Sequence, residues 1–385
     1  MRLFAKLGWW GAVAGAALIT AAAAPPEQWL TYHLSAKGRG YRWLELTTNA
    51  PPNVGLPKLN APPYFARWTT PLDPSGGRWI CLDRTRRSGP YNRIFIDSNG
   101  NGRLDDKTPI DLPRLDDYSA SFDGLRFVFK GEDGPITYHL ALRFMKYDNG
   151  EVRLLASSAC FYDGTVDLGG RKRRVTLLDG NVNGTFNDCA PDPADADRIV
   201  VEGDTAGERV LGRLLEVGDQ LFRVEAARDG AFVKVQPAQD LTMGQVRVPE
   251  SISELVAVGE VGHFIRKPAK GELTLPVGKY RVHAWSIERK DNKGAVWKLA
   301  GSGFSEFARF EVGASQPVTV EVGEPVMPAL TATETKGSVA FGLRLRGRLG
   351  ESVDLQQNDQ RPRAPQLVLA SAAGTFRATN TFEFG

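Results

Sequence analysis

The chain has 385 residues, 42% hydrophobic and 24% charged, with 41 glycines and 24 prolines against 4 methionines. That length exceeds one small domain, and the make-up is that of ordered, loop-rich, β-dominated globular structure; it excludes a disordered tail, a coiled coil and a polytopic membrane protein. Lysine and arginine total 48 and aspartate and glutamate 45, a near-cancelling balance that argues against a dedicated nucleic-acid binder.

The first 24 residues read as a secretory signal peptide. Arg2 and Lys6 precede an apolar run from Leu7 to Thr20, and Ala21 to Ala24 form a small-residue cleavage site ahead of Pro25-Pro26. Leu7 to Ala24 is also just long enough to span a bilayer as an uncleaved anchor. On either reading the rest of the chain is expected outside the cytoplasm, secreted or periplasmic in the cell envelope, with the membrane touched only through this segment if it is uncleaved. The first cysteine, Cys81, is too far along to be a lipid-modified residue at a mature N-terminus.

Residues 25–228 are expected to form a β-rich domain in which one supersecondary unit is used twice. Residues 78–106 run strand with Cys81, turn, strand Arg93-Ile-Phe-Ile, then an acidic loop; residues 157–188 repeat this order with Cys160, Arg173-Arg-Val-Thr-Leu-Leu and a second acidic loop. The loops share a register. Asp97, Asn99, Asn101 and Gly102 in the first, and Asp179, Asn181, Asn183 and Gly184 in the second, stand at positions one, three, five and six of an EF-hand-type calcium loop. A hard cation takes six to eight oxygens, which alternating side chains supply while the glycine takes the sharp turn. The carbonyls of Arg103 and Thr185 fall at position seven. The bidentate glutamate of position twelve is missing, its place taken by Thr108 and Ala190, so Asp105 with Asp106, and Asn187 with Asp188, are the available closing ligands. Weak calcium binding follows, on the order of 10⁻⁴ to 10⁻³ M. A metal-free alternative is open, because Asn-Gly is also the strongest hairpin-turn signal. Helical periodicity is hardly detectable; Asp204 to Val217 is the best short candidate for a helix.

From residue 229 short alternating runs recur between turn residues, and 229–325 is expected to be an immunoglobulin-like β-sandwich. Trp285 and Trp297 flank the Lys290–Gly294 turn and are expected to lie close across a hairpin, either plugging a core or offering a sugar-stacking platform. Residues 326–385 alternate again and either complete that sandwich or form a C-terminal β-module.

Three cysteines, Cys81, Cys160 and Cys189, read as small buried hydrophobes or as one bridge between Cys160 and Cys189. Four histidines, His33, His139, His263 and His283, stand in no catalytic setting. The basic run Arg171 to Arg174 reads as a solvated hairpin flank or as a surface for an anionic polysaccharide. Asp192, Asp195, Asp197, Glu202 and Asp204 are solvated, share a metal, or supply the acid and base of a glycoside hydrolase.

The acidic loops resemble the short Asp/Asn-rich loops of dockerin and thrombospondin-type repeats, and Gly271 to Trp285, with Pro276-Val-Gly-Lys-Tyr280, resembles the turn of carboxypeptidase-regulatory-like and related immunoglobulin-like modules. Taken together the chain resembles secreted bacterial envelope proteins that join calcium loops to such modules. That implies a mostly β fold of two or more antiparallel sandwich-like domains and a non-enzymatic, calcium-stabilised binding or structural role. The implied partner is a cell-envelope polysaccharide or another envelope protein; a carbohydrate-active hydrolase is the alternative.

Overall fold

Period-two alternation runs through almost every segment, and the chain answers it with strands. The structure, a computed structural model, describes residues 25–112, 118–132, 134–304, 308–335 and 337–383; the expected signal segment, 1–24, lies outside them. A 3₁₀ turn spans Pro193–Asp195, and among the described residues no helix is long and apolar enough to cross a membrane. The fold is mostly β, in several antiparallel sheets, as the composition leads one to expect.

A seven-stranded sheet centres on the long strand Val152–Leu168, which pairs with Thr31–Leu44, Pro135–Lys146 and Arg171–Leu178. Its neighbours show why one face is buried. Ser119–Lys130 sends Ala120 and Phe122 inward, skips a residue at a bulge before Leu125, and resumes with Leu125, Phe127 and Phe129. The bulge resets the parity so that both halves of the strand serve the same core. Opposite this face lies a four-stranded sheet, Tyr64–Thr69, Gly77–Asp83, Arg93–Ile96 and Ile110–Asp111, which contributes Trp68, Ile80, Leu82 and Ile94. Trp68 stacks on Tyr138, with ring centroids 5.2 Å apart, and donates its indole N–H to the carbonyl of Val182 at 2.8 Å. Both acidic loops therefore hang from the sheets of this one core.

The twice-used unit is present in outline, with a register difference. Cys81 pairs with Phe95, two residues before Asp97, whereas Leu177 pairs with Tyr162, which brings Asp179 level with Cys160. The two copies also belong to different sheets.

A second core lies between a three-stranded sheet, Glu272–Pro276, Met243–Arg247 and Val318–Thr319, and part of a twelve-stranded sheet containing Glu254–Gly259, Gly262–Arg266, Gly278–Lys290 and Val296–Ser302. The Pro276-Val277-Gly278 turn carries the chain from one sheet to the other, and Tyr280 just beyond it is buried with its hydroxyl donating to the Pro276 carbonyl at 2.7 Å. Residues 326–383 do two things. Ser352–Gln357 pairs with Val296–Ser302 and places Val353 in the second core, while Gln366–Ala370 and Arg377–Thr381 form a separate two-stranded sheet.

The helix expected over Asp204–Val217 is absent; that stretch holds the strands Glu208–Val210 and Leu214–Val217. Its apolar spacing has another cause. The segment runs between the two cores, giving Leu211 and Leu215 to the first and Leu214 to the second. Burial on two sides mimics a helical stripe, and the ladders to Arg198–Val201 and Gln220–Ala226 decide the conformation.

Candidate metal centre

The second acidic loop spans the gap between Arg171–Leu178 and Arg198–Val201. Their ladder ends with Leu178 opposite Arg198, so the chain leaves the sheet at Asp179 and re-enters it after Asp197, with a carboxylate at each end. Asp179 is fully buried. Its Oδ1 accepts from the Asn183 amide at 3.2 Å, and its Oδ2 accepts from the Gly184 amide at 2.7 Å and the Tyr138 hydroxyl at 2.8 Å. Burial still pushes its pKa up to about 6. The amides turn inward because Val182 at position four and Gly184 at position six take positive φ, 55° and 94°, the latter where the spacing calls for glycine.

Asn181 Oδ1 accepts from the Asn183 amide at 3.1 Å, and Asn183 Oδ1 accepts from the Thr185 amide at 2.8 Å. Across the ring, Asp188 Oδ2 receives the side-chain amides of Asn181 at 3.2 Å and Asn183 at 2.8 Å and lies 2.7 Å from Thr185 Oγ1. The loop thus gathers Asp179, Asn181, Asn183, Thr185 and Asp188, whereas Asn187 is exposed and stands apart. Asp197 joins from the far strand. It is fully buried, accepting the Gly180 amide at 3.1 Å and the Asp188 amide at 2.7 Å. Burial, then the nearby charges of Asp179 and Asp188, hold its pKa well above the carboxylate range. Among the described residues none of these three carboxylates is ion-paired with a lysine or arginine.

The first loop repeats the Asp, Asn, Asn, Gly register on a more exposed site. Its flanking strands pair Arg93 with Asp111, so the segment between is longer than a two-residue hairpin turn. Asp97 Oδ1 accepts the amides of Gly100 at 2.7 Å and Asn101 at 3.1 Å, and Oδ2 that of Gly102 at 3.0 Å. Asn99 Oδ1 lies 3.4 Å from the Asn101 amide; Asn101 Oδ1 accepts the Arg103 amide at 3.0 Å and its side-chain amide donates to Asp106 at 2.7 Å. That last bond, above all, lowers the Asp106 pKa. Every carboxylate here has a cation nearby: Arg78 3.9 Å from Asp97, Arg103 2.9 Å from Asp105, and Lys107 3.6 Å from Asp106.

Carboxylate, carboxamide and hydroxyl oxygens without thiol or imidazole are the donors of a hard cation such as calcium. Among the described residues no group of three or more His, Cys, Asp and Glu side chains could hold a metal ion by itself; a cation in the second loop would draw on Asn181, Asn183, Thr185 and backbone carbonyls as well.

The other candidate residues settle into plainer places. Asp192 binds Arg281 at 2.7 Å and Asp204 binds Arg209 at 2.6 Å. Trp285 pairs with Gly301 and Trp297 with Arg289, so the two rings are not cross-strand neighbours. Trp285 is 1% exposed and donates to buried Glu351, while Trp297 donates to Asp291. Arg171 to Arg174 are exposed on a hairpin strand, and all three cysteines are free thiols. Sequence reasoning missed a cleft of about 720 Å³, walled on one side by Gly180, Asp192 and Pro193 of the second loop and on the other by Arg281, His283 and Phe304.

Comparison with protein-family models, with curated proteins and with solved structures finds no match to this chain.

Proposed function

We propose that the protein is a calcium-stabilised, non-enzymatic binding or structural protein of the cell envelope, with the second acidic loop as its metal site. The observation that carries this reading is the gathering of Asp179, Asp188 and Asp197, two of them fully buried, with no lysine or arginine ion-paired to them among the described residues. Taking a carboxylate out of water is costly unless it is hydrogen-bonded and paired or binds a metal, and a divalent cation drawing on part of this set together with Asn181, Asn183, Thr185 and backbone carbonyls supplies the missing positive charge. The same loop bridges the two cores. Ala196 packs with Val210 and Val258, Ala190 lies against them, and Asp192 holds Arg281 of the second core's sheet. Metal held there would fix one wall of the 720 Å³ cleft, which offers Tyr41, Arg281 and His283 to a polysaccharide or a protein partner. Asp192 and Asp204 are engaged by arginines, which supports binding over hydrolysis. Calorimetric titration of calcium into the chelator-stripped chain tests the proposal: one binding event that disappears in Asp179→Ala is expected, and no heat of binding in the millimolar range would overturn it.

A further inference from the structure

The two acidic loops match each other in sequence register and differ in what stands behind them. Behind Asp179 is the phenol of Tyr138, a neutral donor whose pKa burial raises still further. Behind Asp97 is a guanidinium. Arg78, on the strand Gly77–Asp83, is 4% exposed; its Nε lies 2.5 Å from Asp73 Oδ2, its Nη1 lies 3.9 Å from Asp97 Oδ1, and its Nη2 donates to the Val128 carbonyl at 3.2 Å. Its guanidinium carbon sits 4.6 Å from the Phe129 ring centroid. Nε and Nη1 are buried without a well-aligned hydrogen bond, so much of this cation's compensation comes through charge, from Asp73 and Asp97. The loop is moulded onto it: a β-carbon at Gly100, where φ is +76°, would collide with the Arg78 guanidinium.

We infer that Arg78 is the cation of the first loop, and that this copy of the motif keeps its shape without metal while the second takes up calcium. A fixed positive charge, shared between Asp73 and the position-one aspartate, repels an incoming divalent ion and offsets part of the charge with which Asp97 would attract it. The other two carboxylates of the loop are answered as well, Asp105 by Arg103 and Asp106 by Lys107. Among the described residues no lysine or arginine forms an ion pair with Asp179, Asp188 or Asp197, and the Arg198 guanidinium beside the second loop is turned to the carbonyls of Pro193, Ala196 and Asp197, so the need is left to a diffusible ion. The duplicated unit thus holds one permanent and one exchangeable counterion. This inference rests on the calcium reading of the second loop, and its test separates the two.

Equilibrium dialysis of the full chain against ⁴⁵Ca²⁺ counts the ions bound. One ion per wild-type chain is expected, still one in Asp97→Asn, none in Asp179→Asn, and two in Arg78→Gln. Two ions on the wild type, or a single ion lost in Asp97→Asn, would overturn the assignment of Arg78. No ion on the wild type but one on Arg78→Gln would uphold Arg78 and overturn the calcium reading of the second loop; none on either would overturn both. If Arg78→Gln does not fold, the Asp97→Asn count decides, because a metal-free first loop must leave it unchanged.

Discussion

Trp285 offers the sharpest test of whether an aromatic residue that could serve a sugar serves the core instead. Replacing it by Phe keeps a ring in the site and removes the indole N–H that donates to Glu351 Oε1 at 2.7 Å. Glu351 is fully buried, and its other oxygen accepts the Leu349 amide at 2.8 Å. Leaving one of its oxygens unsatisfied costs about 1–3 kcal/mol, and the ring atoms lost from a close-packed site add about 1 kcal/mol. The second core should therefore lose about 2–4 kcal/mol. Urea unfolding followed by far-UV circular dichroism should show the midpoint falling by about 1–2 M with an unchanged slope. Removing both partners in Trp285→Phe with Glu351→Leu should recover part of the loss, because the buried carboxylate goes with its donor. A change below about 0.5 kcal/mol, or a loss of polysaccharide retention at unaltered stability, would refute the structural role and return the ring to the surface.

Further outcomes follow from the same structure. Gly301→Ala places a β-carbon against the Trp285 indole and should destabilise the second core by about 1–3 kcal/mol, read from the same urea curves. His263 carries an acid dependence. Burial, then Arg209, lowers its pKa to about 3, below the unfolded value of about 6.5, so the unfolded chain takes the proton first. Its contribution is complete above pH 6.5 and is lost as the pH falls toward 3, at no more than about 1.4 kcal/mol per pH unit; the wild type should lose midpoint over this window faster than His263→Gln, and parallel curves would refute the assignment. Burial pushes the Cys81 thiol up to about 12 and those of Cys160 and Cys189 to about 11. Iodoacetamide at pH 8 should leave all three unmodified in the folded chain and label all three on unfolding, and a Cys160–Cys189 bridge found by non-reducing mass mapping would contradict the free-thiol structure.

What was legible in the sequence was local. The one, three, five, six spacing of Asp97 to Gly102 and Asp179 to Gly184 specifies turns whose amides close on the leading aspartate, and both loops do this. Period-two alternation marked the strands, including the sheet-to-sheet turn before Tyr280. What escaped was set by pairing between distant segments. Asp197 joins the second loop only because Leu178 pairs with Arg198, and no spacing rule within the motif reaches that far. Arg78 meets Asp97 through the hairpin of Gly77–Asp83 with Arg93–Ile96. The Trp285–Trp297 pairing failed for a like reason: the strand register sets them beside Gly301 and Arg289 instead of each other. A periodic pattern records how many faces are buried and not by what, which is why Leu211, Leu214 and Leu215 read as a helix.

The central claim is that the buried carboxylates of the second loop hold calcium in the folded chain and not in the unfolded one. Thermal unfolding of the full chain in calcium and in chelator measures this directly, since a ligand that binds only the native state adds RT ln(1 + [L]/Kd). With calcium at ten to a hundred times the dissociation constant, the account predicts a gain of about 1.4–2.7 kcal/mol in the wild type, the same gain in Asp97→Ala, and none in Asp179→Ala. An unfolding midpoint indifferent to calcium and chelator, in a chain whose second loop is intact, would contradict it.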